Sequence, residues 1–152
     1  MSAKKKKSRK RSAASSKPPP SDIPLYLDRN LGKHVIADAL RASGSIVELH
    51  DDHLAANAPD EEWIALVGRN EWLAITKDKN IRYRAAELSA IKEHRAKVLV
   101  VRAKNATGQD IAAILVKAKS RIQRFARKHK APFVAGIDRS GRVSKYDLPS
   151  TK

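Results

Sequence analysis

Leu73-Ala74-Ile75-Thr76-Lys77-Asp78 is a short apolar run that closes on a carboxylate, and Leu25-Tyr26-Leu27-Asp28 repeats the pattern earlier in the chain. Brief apolar runs bounded by polar or turn residues read as buried strands. Longer segments of helical period separate these runs, and that alternation is the pattern of βαβ units with a mainly parallel sheet.

Working outward, Leu31, Val35, Ile36, Ala39 and Leu40 form one apolar helical stripe after the first strand, stopped at Gly44. Ile46 to His50 is a second strand. A polar loop then runs to Pro59, and Asp60-Glu61-Glu62 opens a helix carrying Trp63, Ile64 and Val67. A further helix is expected from about Ile81 to Glu93, a fourth strand at Val98 to Val101, and one long amphipathic helix from about Gly108 to Lys128. Pro132 to Ile137 and Val143 to Tyr146 read as two final strands joined by the turn Asp138-Arg139-Ser140-Gly141.

The chain has 152 residues, enough for one domain with a real core. The expected architecture is therefore α/β, an open and mainly parallel sheet flanked by helices over residues 23–147. Residues 1–22 combine a Lys/Arg block, a Ser/Ala stretch and three prolines, a composition that predicts a disordered basic arm. A short disordered C-terminus is expected at 148–152.

Asp28 and Asp78 each fall at a strand's carboxyl end, the edge where open parallel sheets bind ligands. If the strands lie in the order 2-1-3-4, these two carboxylates become neighbours and repel unless a cation lies between them. Magnesium or manganese suits an all-oxygen site, and Asp60 or Glu61 at the next helix start is the candidate third ligand. Each acid also has a local reading: Asp28 and Asp60 as helix caps, Asp78 in an Asx-turn.

Lysine and arginine number 32 against 16 acids, a net charge of +16. Eight of the cations lie within the first twenty residues, which hold no acid, so the remainder is basic as well. Such an excess favours a polyanionic partner. The candidate phosphate contacts are Lys77, Lys79, Arg82 and Arg84 around Asp78, and Lys117, Arg121, Arg124 and Lys128 on the outer face of the long helix. No arrangement of the few aromatic residues suggests a stacking platform for bases.

The absence of cysteine excludes disulfides, thiolate metal sites and thiol nucleophiles. Neither a glycine-rich phosphate loop nor a Gly-x-Ser-x-Gly elbow is present, which argues against nucleotide-dependent and serine-hydrolase chemistry. His50 and His53 match no established zinc spacing, although Asp51 or Asp52 between them lies near enough to the crevice to be an outer-shell group. The longest apolar runs are far too short to span a bilayer, so a cytoplasmic chain with no membrane role is expected.

The ordered motifs Leu27-Asp28-Arg29-Asn30-Leu31-Gly32, Gly44 before Ile46-Val47-Glu48-Leu49-His50, Asp60-Glu61-Glu62-Trp63-Ile64, and Leu73 through Lys79 resemble the compact PIN-like domains. The likeness is strongest to the branch related to VapC-type toxins and extends from about Pro24 to Tyr146. The resemblance implies a magnesium- or manganese-dependent endoribonuclease that acts on RNA, the toxin of a toxin–antitoxin pair, with Asp28, Asp60 and Asp78 at the family's acidic positions. It also makes an antitoxin partner and a homo-oligomer reasonable expectations. Asn80 stands where many compact relatives carry a second aspartate. The alternative is a noncatalytic nucleic-acid-binding protein on a degenerate scaffold of the same kind.

Overall fold

The computed structural model describes residues 22–150. The expected basic arm lies outside them, apart from Asp22, as do residues 151–152. Six strands form one sheet: β1 (Leu25–Leu27), β2 (Val47–Leu49), β3 (Leu73–Thr76), β4 (Lys97–Arg102), β5 (Phe133–Asp138) and β6 (Val143–Tyr146). Their spatial order is β2-β1-β3-β4-β5-β6, parallel throughout except for the final hairpin of β5 with β6. The first four strands thus take the expected 2-1-3-4 order. The chain leaves β1 for one side and then returns to the other, which makes the gap between β1 and β3 the topological switch point.

Both faces of the sheet are covered, the normal condition of parallel strands. Leu25, Leu27, Leu73, Ile75, Leu99, Phe133 and Ile137 point to one face. Residues of α1 (Val35–Ala42), α4 (Gly108–Lys117) and α5 (Lys119–Lys128) pack there. The alternate residues Tyr26, Ala74, Val98, Val100 and Val134 point to the other face, against Trp63, Ile64 and Val67 of α2 (Asp60–Asn70) and Ile91 of α3 (Ala85–His94). The strict alternation follows from the two-residue period of a strand. Among the described residues no helix is long and apolar enough to cross a membrane.

Three helices differ from the sequence expectation. The segment after β1 begins as a 3-10 turn (Arg29–Leu31), and Gly32 at φ 76° breaks it before α1 starts. That break uncouples the phase of Leu31 from α1, so Val35 is 51% exposed while Ala37 is buried instead. The helix expected from Ile81 is likewise a 3-10 turn (Ile81–Tyr83) followed by α3, because Arg84 adopts an extended backbone at φ −90°, ψ 127°. The single long helix bends at Ala118 (φ −92°, ψ 7°) into α4 and α5. The apolar stripe survives the bend, with Ile111, Ile114, Leu115, Ala118, Ile122 and Ala126 all buried. Thr107 and Asp110 form a reciprocal capping box at its start, with bonds of 3.0 and 2.9 Å.

Beyond β6 the chain remains attached to the body. Leu148 packs against the α2–α3 side, and Lys92 Nζ donates to the Pro149 carbonyl at 2.6 Å.

Helices α2 and α3 approach so closely that a Cβ added at Gly68 would lie 2.1 Å from the carbonyl oxygen of His94. Backbone cannot yield there as a side-chain tip can. Gly68→Ala should therefore destabilise the fold by about 1–3 kcal/mol, the usual cost of overpacking. Urea denaturation of the variant would show a lowered midpoint; an unchanged midpoint would mean that the helices separate freely.

Candidate functional site

The register of the sheet builds the site. Leu27 pairs with Ile75, and the Asp28 amide donates to the Ile75 carbonyl at 3.0 Å, which sets Asp28 beside Thr76 at the carboxyl edge. Both residues follow the alternation onto the α2–α3 side. The Thr76 hydroxyl donates to Asp28 Oδ2 at 2.7 Å and accepts from Asn30 Nδ2 and the Asp78 amide, each at 3.1 Å. Its one proton and two lone pairs are all used, and because both other partners are donors its proton must point to Asp28.

Asp78 Oδ1 accepts from the Asn80 amide at 3.0 Å, so its expected Asx-turn is formed. The same carboxylate is ion-paired with Arg84, whose guanidinium also stands 3.8 Å from Asp60 and 3.4 Å from Glu87. Asp60 does not cap its own helix; Pro59 holds the capping position, and Asp60 Oδ1 accepts from Trp63 Nε1 at 2.9 Å. Asp28 precedes the 3-10 turn without capping it through its side chain. Glu61 is exposed in the first turn of α2 and has no bond to the other acids. Asp28 and Asp78 are thus joined through Thr76, and Asp78 and Asp60 through Arg84, at the carboxyl edge of the sheet.

Asp28 is 9% exposed, and among the described residues no lysine or arginine pairs with it. Burial raises its pKa above the usual aspartate value; the Thr76 hydrogen bond opposes that shift, and the charge of Asp60 adds to it. Below lies Tyr26, whose hydroxyl is pushed up by burial and then by Asp28, Asp60 and Asp51. Tyr26 meets His50 Nδ1 at 2.6 Å, while His50 Nε2 lies 2.9 Å from the Ala55 carbonyl. A carbonyl only accepts, so we assign the proton to Nε2 and Nδ1 as acceptor of the tyrosine hydroxyl. His53 is turned to Glu48 at 2.8 Å, and Asp51 to Lys33 at 2.8 Å, a bond that holds the Asp51 carboxyl below the usual range.

By donor type the carboxylates of Asp28, Asp60 and Asp78 suit a hard divalent cation, and the buried one, Asp28, has no counter-charge. The positive ends of α2 and α3 also open beside Asp60 and Arg84. Arg84 is the positive charge already present between Asp60 and Asp78. Among the described residues no three acids or histidines are gathered closely enough to cage a metal.

The basic candidates separate. Lys77 and Lys79 line a cavity of about 510 Å³ with Arg102 and Lys104 at the same sheet edge. Arg82 lies between Tyr83 and Tyr146, 4.4 Å from each ring centroid. Lys117, Arg121, Arg124 and Lys128 are exposed on α4 and α5, which cover the opposite face of the sheet from α2 and α3. Arg121 donates to the Gly141 carbonyl at 2.7 Å. Sequence reasoning missed Thr76 as the link between the acids. A polar residue at an inward position of an otherwise apolar strand was its available signal.

A family model described as a PIN like domain matches residues 24–103. The chain is also 27% identical over 114 residues to a protein of Mycobacterium tuberculosis named "Putative ribonuclease VapC45", covering 72% of this chain and 82% of that one. No solved structure matches the chain.

A carboxyl whose folded pKa is raised contributes stability below the unfolded value, near 3.8, and loses it as pH rises through the folded value. Asp28→Asn removes that titration and keeps an acceptor for Thr76. The variant should therefore be more stable than wild type at pH 7, with the advantage fading as pH falls toward 3.8. Paired urea melts across pH 3.5 to 7 read this out, and an advantage independent of pH would show that Asp28 does not carry the buried charge.

Proposed function

The chain belongs to the PIN-like domain family, and on that premise we propose that it is a metal-dependent endoribonuclease, the toxin of a toxin–antitoxin pair. The observation that carries this reading is Asp28: a buried carboxylate without a counter-cation, fixed at the switch point of the sheet by its bonds to Ile75 and Thr76. A buried anion is costly to keep, so its retention calls for a positive partner.

Asp28, Asp60 and Asp78 are the residues to hold magnesium or manganese, with Glu61 a lesser candidate. Bound there, the metal would activate water and stabilise charge on the attacked phosphodiester. Thr76 orients Asp28 by fixing Oδ2. Lys77 and Lys79, exposed on either side of Asp78, suit RNA phosphates flanking the scissile bond. Arg84 must withdraw from Asp78 for that carboxylate to serve as a ligand, and its freed guanidinium would then remain beside the substrate. The relative's name supports RNA as the substrate, and its VapC designation supports an antitoxin as the partner.

Arg84 in the cation's position and the amide of Asn80 favour a second reading, a noncatalytic nucleic-acid-binding protein on the same scaffold. The two readings diverge on an end-labelled RNA of mixed sequence incubated with magnesium, manganese or chelator. The nuclease reading expects cleavage that chelator abolishes. Asp28→Asn and Asp78→Asn should each reduce it by more than the roughly 10–100-fold that loss of an outer-shell partner costs. Binding without cutting under every condition selects the second reading. By calorimetry, Arg84→Gln should bind manganese more tightly than wild type, because the competing cation is gone; equal affinities would remove Arg84 as the competitor.

A further inference from the structure

On the α2–α3 side, next to the acid crevice, two tyrosines and two arginines from distant parts of the chain form a layered shelf. The Arg82 guanidinium is stacked between the Tyr83 and Tyr146 rings and donates to the Asp147 carbonyl at 3.0 Å. Arg102, the last residue of β4, lies 5.9 Å from the Tyr146 centroid and donates to its hydroxyl at 3.1 Å. Tyr146 lies across Gly136, where an added Cβ would fall 1.9 Å from the tyrosine oxygen. Glycine at that position is what leaves room for the hydroxyl end of the ring to cross the neighbouring strand.

The shelf is open, and it is basic. Tyr83 is 59% exposed, an unusual state for a large ring with one face already covered by a guanidinium. Arg102, Arg142, Ser144 and Tyr146 line a cavity of about 330 Å³ over the end of the β5–β6 hairpin. The wall also holds one acid, Asp138, whose Oδ1 accepts from the Ser140 amide and hydroxyl and the Arg142 amide at 2.7 to 3.0 Å, so two arginines face one carboxylate there. Arg102 is shared with the neighbouring cavity that holds Lys77, Lys79 and Lys104. A continuous run of cations thus leads from Asp78 to the tyrosines.

We propose that this shelf binds single-stranded RNA, with one base stacked on the open face of Tyr83 and the adjoining phosphates held by Arg102 and Arg142. Alternating cations and exposed aromatic rings suit a strand whose bases are free to splay, because phosphates take the cations and any base offers a face to stack. A duplex keeps its bases inside and would gain only the charge contacts. The inference rests on the ribonuclease reading for RNA as the ligand and adds where a base and its phosphates are held outside the acids. It is tested by binding in chelator, so failure of either reading leaves the other to be judged separately.

The test uses the full chain, fluorescein-labelled single-stranded and duplex RNA of equal length, and anisotropy in chelator over a salt series. Tyr83→Ala should weaken single-strand binding by about 5- to 100-fold, the range seen when one base-stacking ring is removed. It should leave duplex binding unchanged, and Tyr83→Phe should behave as wild type. Arg102→Gln should lower the slope of log affinity against log salt by about 0.7 on the single strand. Arg127→Gln, exposed on α5 at the opposite face of the sheet, should leave the ratio of single-strand to duplex affinity as it was. An unchanged single-strand affinity in Tyr83→Ala, or an equal loss on both RNAs, would overturn the proposal. So would a preference for single-stranded DNA of the same sequence.

Discussion

The Thr76 hydroxyl is the smallest group on which the site depends. It ties Asp28 at the end of β1 to Asn30 in the following turn and to the Asp78 backbone beyond β3. These groups come from segments 46 or more residues apart in sequence, except for the local bond to Asp78. Parallel pairing of β1 with β3 brings the segments within reach, and the hydroxyl then fixes which way each side chain faces. A valine here would fill the space and leave a buried carboxylate without its donor, and losing a partner of a charged group costs more than the bond itself contributes.

Much of this was legible in the sequence. The two aspartates could be placed because apolar run, polar stop and helical period recur in order, and right-handed crossovers leave few strand orders to choose from. The local alternatives were also informative. Asp78 does close an Asx-turn while still facing the crevice, so a local role and a site role coexist in one carboxylate. Asp60 looked like a cap, yet Pro59 occupies the capping position and the carboxylate reaches Trp63 instead.

What was not legible is tertiary. Nothing near Arg84 announces that its extended backbone interrupts a helix and turns its guanidinium toward Asp78. The basic face of α4 and α5 has the right spacing for a phosphate track, but helical period cannot say on which side of the sheet a helix lies. Tyr83 and Tyr146 likewise come together only around Arg82, from separate halves of the domain. Contacts of that kind leave no local pattern to read.

The close approach at Gly68 has mechanical meaning as well as an energetic one. Gly68 and His94 lie near the far ends of α2 and α3, while Asp60 and Arg84 lie at the near ends, where the two helices open on the crevice. The tight contact therefore stands roughly 12 Å along α2 from Asp60 and roughly 14 Å along α3 from its first residue, at about 1.5 Å per residue. One missing methyl group near the far end of the pair thus sets how closely two helices pack whose near ends carry Asp60 and Arg84.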